Sequence, residues 1–136
     1  MRASHRALVS IIAVAAFSAP RLKPLNEFSN WPAGTSPTEI GKRVADRFAA
    51  GPHTNSGKST PPDHITYPES VAWYGALTFA QLSGDKDLTA RLIQRFEPLF
   101  GEESKLVPEP NHVDSTVFGS VPLEIYIETK DPKYLA

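Results

Sequence analysis

Apolar residues recur at three- and four-residue spacing in several stretches of the chain, which is the periodicity of amphipathic helices. The first stretch follows Ser36-Pro37-Thr38-Glu39, a capping box with proline at the first helical position, and predicts a helix that runs to about Ala50. The second predicts a helix over about residues 68–83, and Gly84 is a suitable residue to end it. Its apolar face is wide, so we expect burial on several sides.

Two further helices are predicted in the second half of the chain. The segment from Asp85 to about Leu99 carries a narrow apolar stripe, so this helix should be half exposed. The segment over about 115–129 is broadly apolar, like the 68–83 helix. A fifth helix is expected to begin at Asp131-Pro132. No strand pattern competes with these assignments.

The predicted helices repeat at a constant interval. Leu77 and Leu123 are 46 residues apart, and so are Asp85 and Asp131, which follow the ends of the two broadly apolar helices. A period of about 40–50 residues with two helices per unit is typical of helical arrays and toroids. Because one such unit cannot bury its own faces, we predict an all-α fold built from helical hairpins, with the broadly apolar helices inside and the striped helices outside.

The first 19 residues differ from the rest of the chain. Arg2 and Arg6 precede an apolar run, Ala7 to Phe17, that is too short to span a bilayer as a helix, and small residues follow it. This pattern predicts a signal peptide over 1–19 and export to a bacterial periplasm or medium, and the alternative is an apolar first helix of the domain. No cysteine lies near the expected cleavage point, so no membrane anchor is expected. Residues 20–35 are then a lead-in segment, and 36–136 form the domain.

Composition and motifs narrow the function. The formal net charge is −1 with no basic stripe, which argues against a nucleic-acid partner. The chain has no cysteine, which excludes disulfides and cysteine-based metal sites. It also lacks a glycine-rich phosphate loop and a His-Glu-x-x-His motif, so we expect neither cofactor nor metal.

Asp114 is the strongest candidate for chemistry. It lies where a predicted inner helix begins, so its carboxylate could face the cavity of a toroid and orient water or share a proton. The same position suits a helix N-cap, which is the structural alternative. Glycoside chemistry generally requires a pair of carboxylates, so Asp114 alone is an incomplete site.

Two other residues are candidates for substrate binding. His112 could donate a hydrogen bond to a substrate carboxylate, or it could be a solvated loop residue. Tyr67 could stack on a sugar, or it could be a core aromatic. Trp73 and Tyr74, in the middle of the same helix, are interpreted as packing residues. Glu69 is interpreted as a first-turn residue that favours the helix dipole, and His53, His64 and Lys58 show no recognisable spacing.

Two segments together resemble the unsaturated glucuronyl and rhamnogalacturonyl hydrolases, glycoside hydrolase families 88 and 105. Tyr67-Pro68-Glu69-Ser70-Val71-Ala72-Trp73-Tyr74-Gly75 is similar to the Tyr-x-x-x-Val-x-x-x-Gly opening of an inner helix in these enzymes. Asp114-Ser115-Thr116-Val117-Phe118-Gly119, continuing through 126–134, looks like their next inner helix. The resemblance covers about residues 36–136 and is greatest for family 105.

The resemblance implies an (α/α)6 toroid and a hydrolase that hydrates the 4,5-unsaturated uronic acid at the non-reducing end of lyase-generated oligosaccharides. Asp114 would be the first active-site aspartate, and Tyr67 would line the pocket. The family's second aspartate lies well beyond the first, whereas this chain ends 22 residues after Asp114. We therefore expect an N-terminal portion of such an enzyme, truncated at the C-terminus and inactive by itself.

Two alternatives remain open. One is a different (α/α) toroid enzyme acting on carbohydrate, such as a lyase, an epimerase or an inverting glycosidase. The other is an exported helical-repeat binding module without catalysis.

Overall fold

The protein is described here by a computed structural model that covers residues 30–55, 58 and 60–135. Its helices are α1 (Pro37–Ala50), α2 (Tyr67–Ser83), α3 (Lys86–Phe96), α4 (Val113–Thr116) and α5 (Ser120–Thr129). Short 3-10 segments occupy Glu97–Phe100, Ser104–Leu106, Val117–Gly119 and Pro132–Leu135. No strand occurs within the described ranges, so the all-α prediction is confirmed for them.

The predicted signal peptide, 1–19, and the lead-in up to residue 29 lie outside the described residues. In the part of the chain that is described, none of the helices combines the length and the apolar character that crossing a membrane requires.

The first two helices have the boundaries that their terminal residues predict. The Ser36 hydroxyl accepts a hydrogen bond from the Glu39 N–H at 3.2 Å, and the Glu39 carboxylate accepts one from the Ser36 N–H at 3.1 Å. This reciprocal pair is the predicted capping box, and it satisfies two backbone donors at the start of α1. Gly84 ends α2 with φ of 69°, a left-handed conformation that glycine adopts without a Cβ penalty.

Prolines affect the two later helices. The helix expected over 85–99 stops at Phe96 and continues as a 3-10 turn, because Pro98 has no N–H for the next helical bond. The helix expected over 115–129 begins at Val113 and ends at Thr129, with a 3-10 turn at Val117–Gly119. Pro122 cannot donate to the carbonyl of Phe118, but the backbone on both sides of the turn stays right-handed helical, so the predicted helix is present with one interruption.

Trp73 lies at the centre of the core. It is fully buried, and its indole N–H donates to the Leu92 carbonyl at 3.3 Å. The rings of Phe48 and Phe96 pack edge-on against it, with centroids 5.9 and 5.7 Å away. The prediction that Trp73 packs is confirmed, and the α1, α2 and α3 helices meet around it.

Helix α2 and the α4–α5 segment pack against each other and share neighbours on α3. The Phe118 ring stacks on Phe96, with centroids 5.9 Å apart, and Phe96 contacts Trp73 in α2. Tyr134, which follows the end of α5, also packs on Phe96, with centroids 5.8 Å apart. Gln81 near the end of α2 donates to Glu124 in α5 at 3.4 Å.

The ends of α2 and α5 share a local geometry. Gly84 and Lys130, 46 residues apart, both adopt left-handed conformations, with φ of 69° and 59°. The hydroxyls of Ser83 and Thr129, also 46 residues apart, each donate to the carbonyl four residues earlier, at 2.7 and 2.8 Å. The two helix ends thus match in sequence position, backbone conformation and side-chain hydrogen bonding.

Large apolar residues remain exposed on three helices, which differs from the predicted burial of α2 on several sides. Tyr74 is 42% exposed, so the interpretation of Tyr74 as a packing residue is wrong. The other exposed apolar residues of these helices are Ile40, Val44, Val71, Leu82, Leu123 and Ile127. By contrast, the narrow stripe of α3 is buried as predicted, with Leu88 and Leu92 fully covered.

Candidate functional site

His112 and Asp114 open the short helix α4. His112 is its N-cap residue, and the Nδ1 atom of its ring accepts a hydrogen bond from the Asp114 N–H at 3.2 Å. Asp114 therefore lies in the first turn, and the alternative in which Asp114 itself caps the helix is wrong. Because Nδ1 is an acceptor, the ring proton of a neutral His112 is on Nε2 and can be donated outward.

The side chains of this pair are open to solvent. The Asp114 side chain is 63% exposed and that of His112 is 66% exposed, and the Asp114 Oδ2 atom is 3.7 Å from the His112 Nδ1 atom. Neither the carboxylate nor the outward ring nitrogen is occupied by a neighbour within hydrogen-bonding distance in the described part of the chain. Both groups are thus accessible to a ligand.

Tyr67 is the first residue of α2 and is 48% exposed. The alternative in which it is a core aromatic is therefore wrong. His112 and Asp114 are adjacent at the start of α4, whereas within the described ranges no hydrogen bond, ion pair or shared cavity joins Tyr67 to either of them.

A polar cavity of about 500 Å³ is lined by Asn111 and Ser115, which flank His112 and Asp114 in sequence, whereas His112 and Asp114 do not line it. The basic side chains of His64 and Lys105 line it together with the acidic side chains of Asp63 and Glu109, so the lining carries charges of both signs. Sequence analysis found no role for His64 because the loop that carries it reaches this cavity only through the fold.

A second cluster of ionisable groups, centred on Glu69, is buried. The Glu69 side chain is 2% exposed, and its Oε1 atom accepts from Nη2 of Arg95 at 2.6 Å and from Nδ1 of His53 at 2.5 Å. Its Oε2 atom accepts from the Thr54 N–H at 3.2 Å. The interpretation of Glu69 as only a dipole-stabilising residue is incomplete, because it links the loop after α1 to α2 and α3.

Arg95 is held on several sides. Its guanidinium lies over the rings of Phe48 and Trp73, 4.7 and 5.2 Å from their centroids, and its side chain is 8% exposed. Nη1 donates to the Gly51 carbonyl. Arg95 lies three residues after Leu92, next to the apolar stripe of α3. A charged residue at the edge of a buried apolar stripe predicts a buried partner of opposite charge, and this is the sequence signal that could have found the cluster.

The charge on Glu69 follows from its surroundings. Burial, the largest single influence, raises the pKa of this carboxyl, but the hydrogen bonds from His53, Arg95 and the Thr54 N–H together lower it further. The pKa of Glu69 therefore lies below its ordinary value, and the group is ionised at neutral pH. With both oxygens occupied by donors, Glu69 organises the fold around it and is not free to bind a ligand.

Comparisons of the chain with models of known protein families, with curated proteins and with solved structures found no match. Within the described ranges, no group of three or more His, Asp or Glu side chains converges as a metal site would require. The function is therefore argued from the residues and the geometry given above.

Proposed function

We propose that this chain is part of a glycoside hydrolase that hydrates the 4,5-unsaturated uronic acid at the non-reducing end of oligosaccharides released by polysaccharide lyases. The observation that carries the proposal is the position of Tyr67, His112 and Asp114. They are exposed where two helical segments begin, and these segments resemble consecutive inner helices of such enzymes.

The proposed chemistry is protonation at C4 of the sugar and addition of water at C5, which gives a hemiketal that opens and releases the next sugar. Asp114 would orient the water or share a proton with a second carboxylate. His112 would donate its outward N–H to the uronate carboxylate, and Tyr67 would contact the sugar ring.

The proposed fold is an (α/α)6 toroid in which α2 and the α4–α5 segment are neighbouring inner helices. The equal 46-residue spacing of the two helix ends supports this, since hairpin repeats place equivalent turns at a fixed interval. The apolar residues exposed on α2 and α5 also support it, because neighbouring hairpins of a toroid would cover them. We further propose that the protein is exported, from the signal-peptide pattern of residues 1–19.

The test uses the protein encoded by the complete reading frame and unsaturated uronyl disaccharides. Hydration removes the conjugated double bond, so we expect its ultraviolet absorbance to disappear, while the matching saturated disaccharides stay intact. Binding of the disaccharides without turnover would contradict the proposal and favour a non-catalytic binding module. Cleavage of the saturated sugars would instead favour a different glycosidase.

A further inference from the structure

One imidazole in the buried cluster stands between two carboxylates. His53 lies in the loop after α1, and its side chain is 10% exposed. Its Nδ1 atom is 2.5 Å from Oε1 of Glu69, and its Nε2 atom is 3.4 Å from Oε2 of Glu103. Glu103 belongs to the turn that follows α3, and its side chain is 39% exposed.

The two ring nitrogens have different proton requirements. Glu69 is ionised beside Arg95, so the short contact at Nδ1 requires that Nδ1 carry a proton and donate it. Nη2 of Arg95 lies 3.2 Å from Nδ1 because both atoms donate to the same carboxylate oxygen. This leaves Nε2 as the nitrogen that gains or loses a proton.

We propose that His53 is a pH-responsive latch, in which a proton on Nε2 binds Glu103 and fastens the loop at 51–55 to the turn after α3. Without that proton, an Nε2 lone pair faces the Glu103 carboxylate, and the loop is held only through Glu69 and through the bond from Arg95 to the Gly51 carbonyl. Histidine is the side chain whose ordinary charge change falls between pH 5 and 8, so the latch closes on acidification through that range.

Charged groups from three elements face His53. Glu69 faces it from α2, Glu103 from the turn after α3, and Arg95 from α3. Glu102 and Lys105 line a cavity of about 700 Å³ that His53 also lines, and Lys58 lines a second cavity that His53 adjoins. The charges of Glu69 and Arg95 compensate each other. A proton on Nε2 of His53 is therefore balanced by the negative charge of Glu103.

Trp73 reports the charge on His53 directly. The two rings are 5.8 Å apart, and a charged imidazole quenches indole fluorescence more than a neutral one. The chain has two tryptophans, so Trp31→Phe leaves Trp73 as the single emitter. We expect its emission to fall as the pH drops through the 5–8 range, and to stay flat when His53→Gln is added. His64→Gln, at an exposed histidine, is the matched control and should leave the transition unchanged.

Glu103→Gln in the Trp31→Phe background tests the latch itself. Removing the carboxylate should move the midpoint of the emission change to lower pH, because no negative charge then faces Nε2. A midpoint that is the same in Glu103→Gln as in its parent would overturn the proposal. So would an emission that does not change between pH 5 and 8 in the folded parent. Because Glu103 is partly exposed, this test stands even if His53→Gln does not fold.

Discussion

The buried pair of Arg95 and Glu69 allows a sharp stability prediction for Arg95→Met. Methionine keeps much of the side-chain volume but removes the cation from a carboxylate that is 2% exposed. Glu69 then keeps only His53 and the Thr54 N–H as donors, and the Gly51 carbonyl loses its partner. Removing one partner of a buried ion pair typically lowers the free energy of unfolding by about 3–5 kcal/mol, because the remaining charge stays buried without a counter-charge.

The matched control is Arg91→Met, one helical turn earlier on α3. Arg91 also pairs with carboxylates, Asp46 and Asp87, but its side chain is 35% exposed, as is that of Asp46. Ion pairs that are this exposed typically contribute about 1 kcal/mol or less to the free energy of unfolding. The same substitution on the same helix should therefore have an effect several times smaller.

Urea unfolding at pH 7, followed by circular dichroism and by tryptophan fluorescence, measures both variants. The double variant Glu69→Gln/Arg95→Met should recover part of the lost free energy of unfolding, because no unpaired carboxylate remains buried. Equal effects of Arg95→Met and Arg91→Met, or a loss below about 1 kcal/mol for Arg95→Met, would refute the argument that this cluster stabilises the fold.

Two further predictions follow from the same structure. Because the pKa of Glu69 lies below its ordinary value, the stability that Glu69 contributes is fully present above its unfolded-state pKa and is lost as the pH falls through its folded-state pKa. Urea midpoints should therefore fall with acidification below pH 4.5, and less steeply in Glu69→Gln; equal slopes would contradict this. The exposed apolar residues of α5 should make the 136-residue chain self-associate, and Leu123→Lys with Ile127→Lys should reduce association in size-exclusion chromatography without lowering stability. Unchanged association would show that other surfaces are responsible.

The features that were predicted correctly depend on local chemistry. The capping box at Ser36 and the left-handed Gly84 are determined within a few residues, and both occur as expected. Pro98 and Pro122 are also visible in the sequence, but apolar periodicity continues through both of them. The helix predicted over 85–99 was therefore too long, and the 3-10 turn within the helix predicted over 115–129 was missed. The missing backbone donors decide the outcome there.

The features that were missed depend on contacts between distant residues. Trp73 and Tyr74 are adjacent in a broadly apolar helix, yet one is buried and the other is 42% exposed, and composition does not distinguish them. His53, Glu69 and Arg95 meet only after three segments pack together, so their spacing in sequence carried no signal. Tyr67 opens α2 and His112 and Asp114 open α4, positions that local helix-start signals indicate, and their role in a site stays a prediction.

The measurement that tests the proposed function most directly is turnover of unsaturated disaccharides by Asp114→Asn in the complete protein, paired with thermal melting. Asp87→Asn is the matched control, since Asp87 is the second residue of α3, as Asp114 is of α4, and its side chain is 81% exposed. Both substitutions should change stability by about 1 kcal/mol or less. We predict that Asp114→Asn lowers turnover by roughly 10²-fold or more, while Asp87→Asn leaves it unchanged. Near-normal turnover in Asp114→Asn would contradict the assignment of Asp114 to the active site.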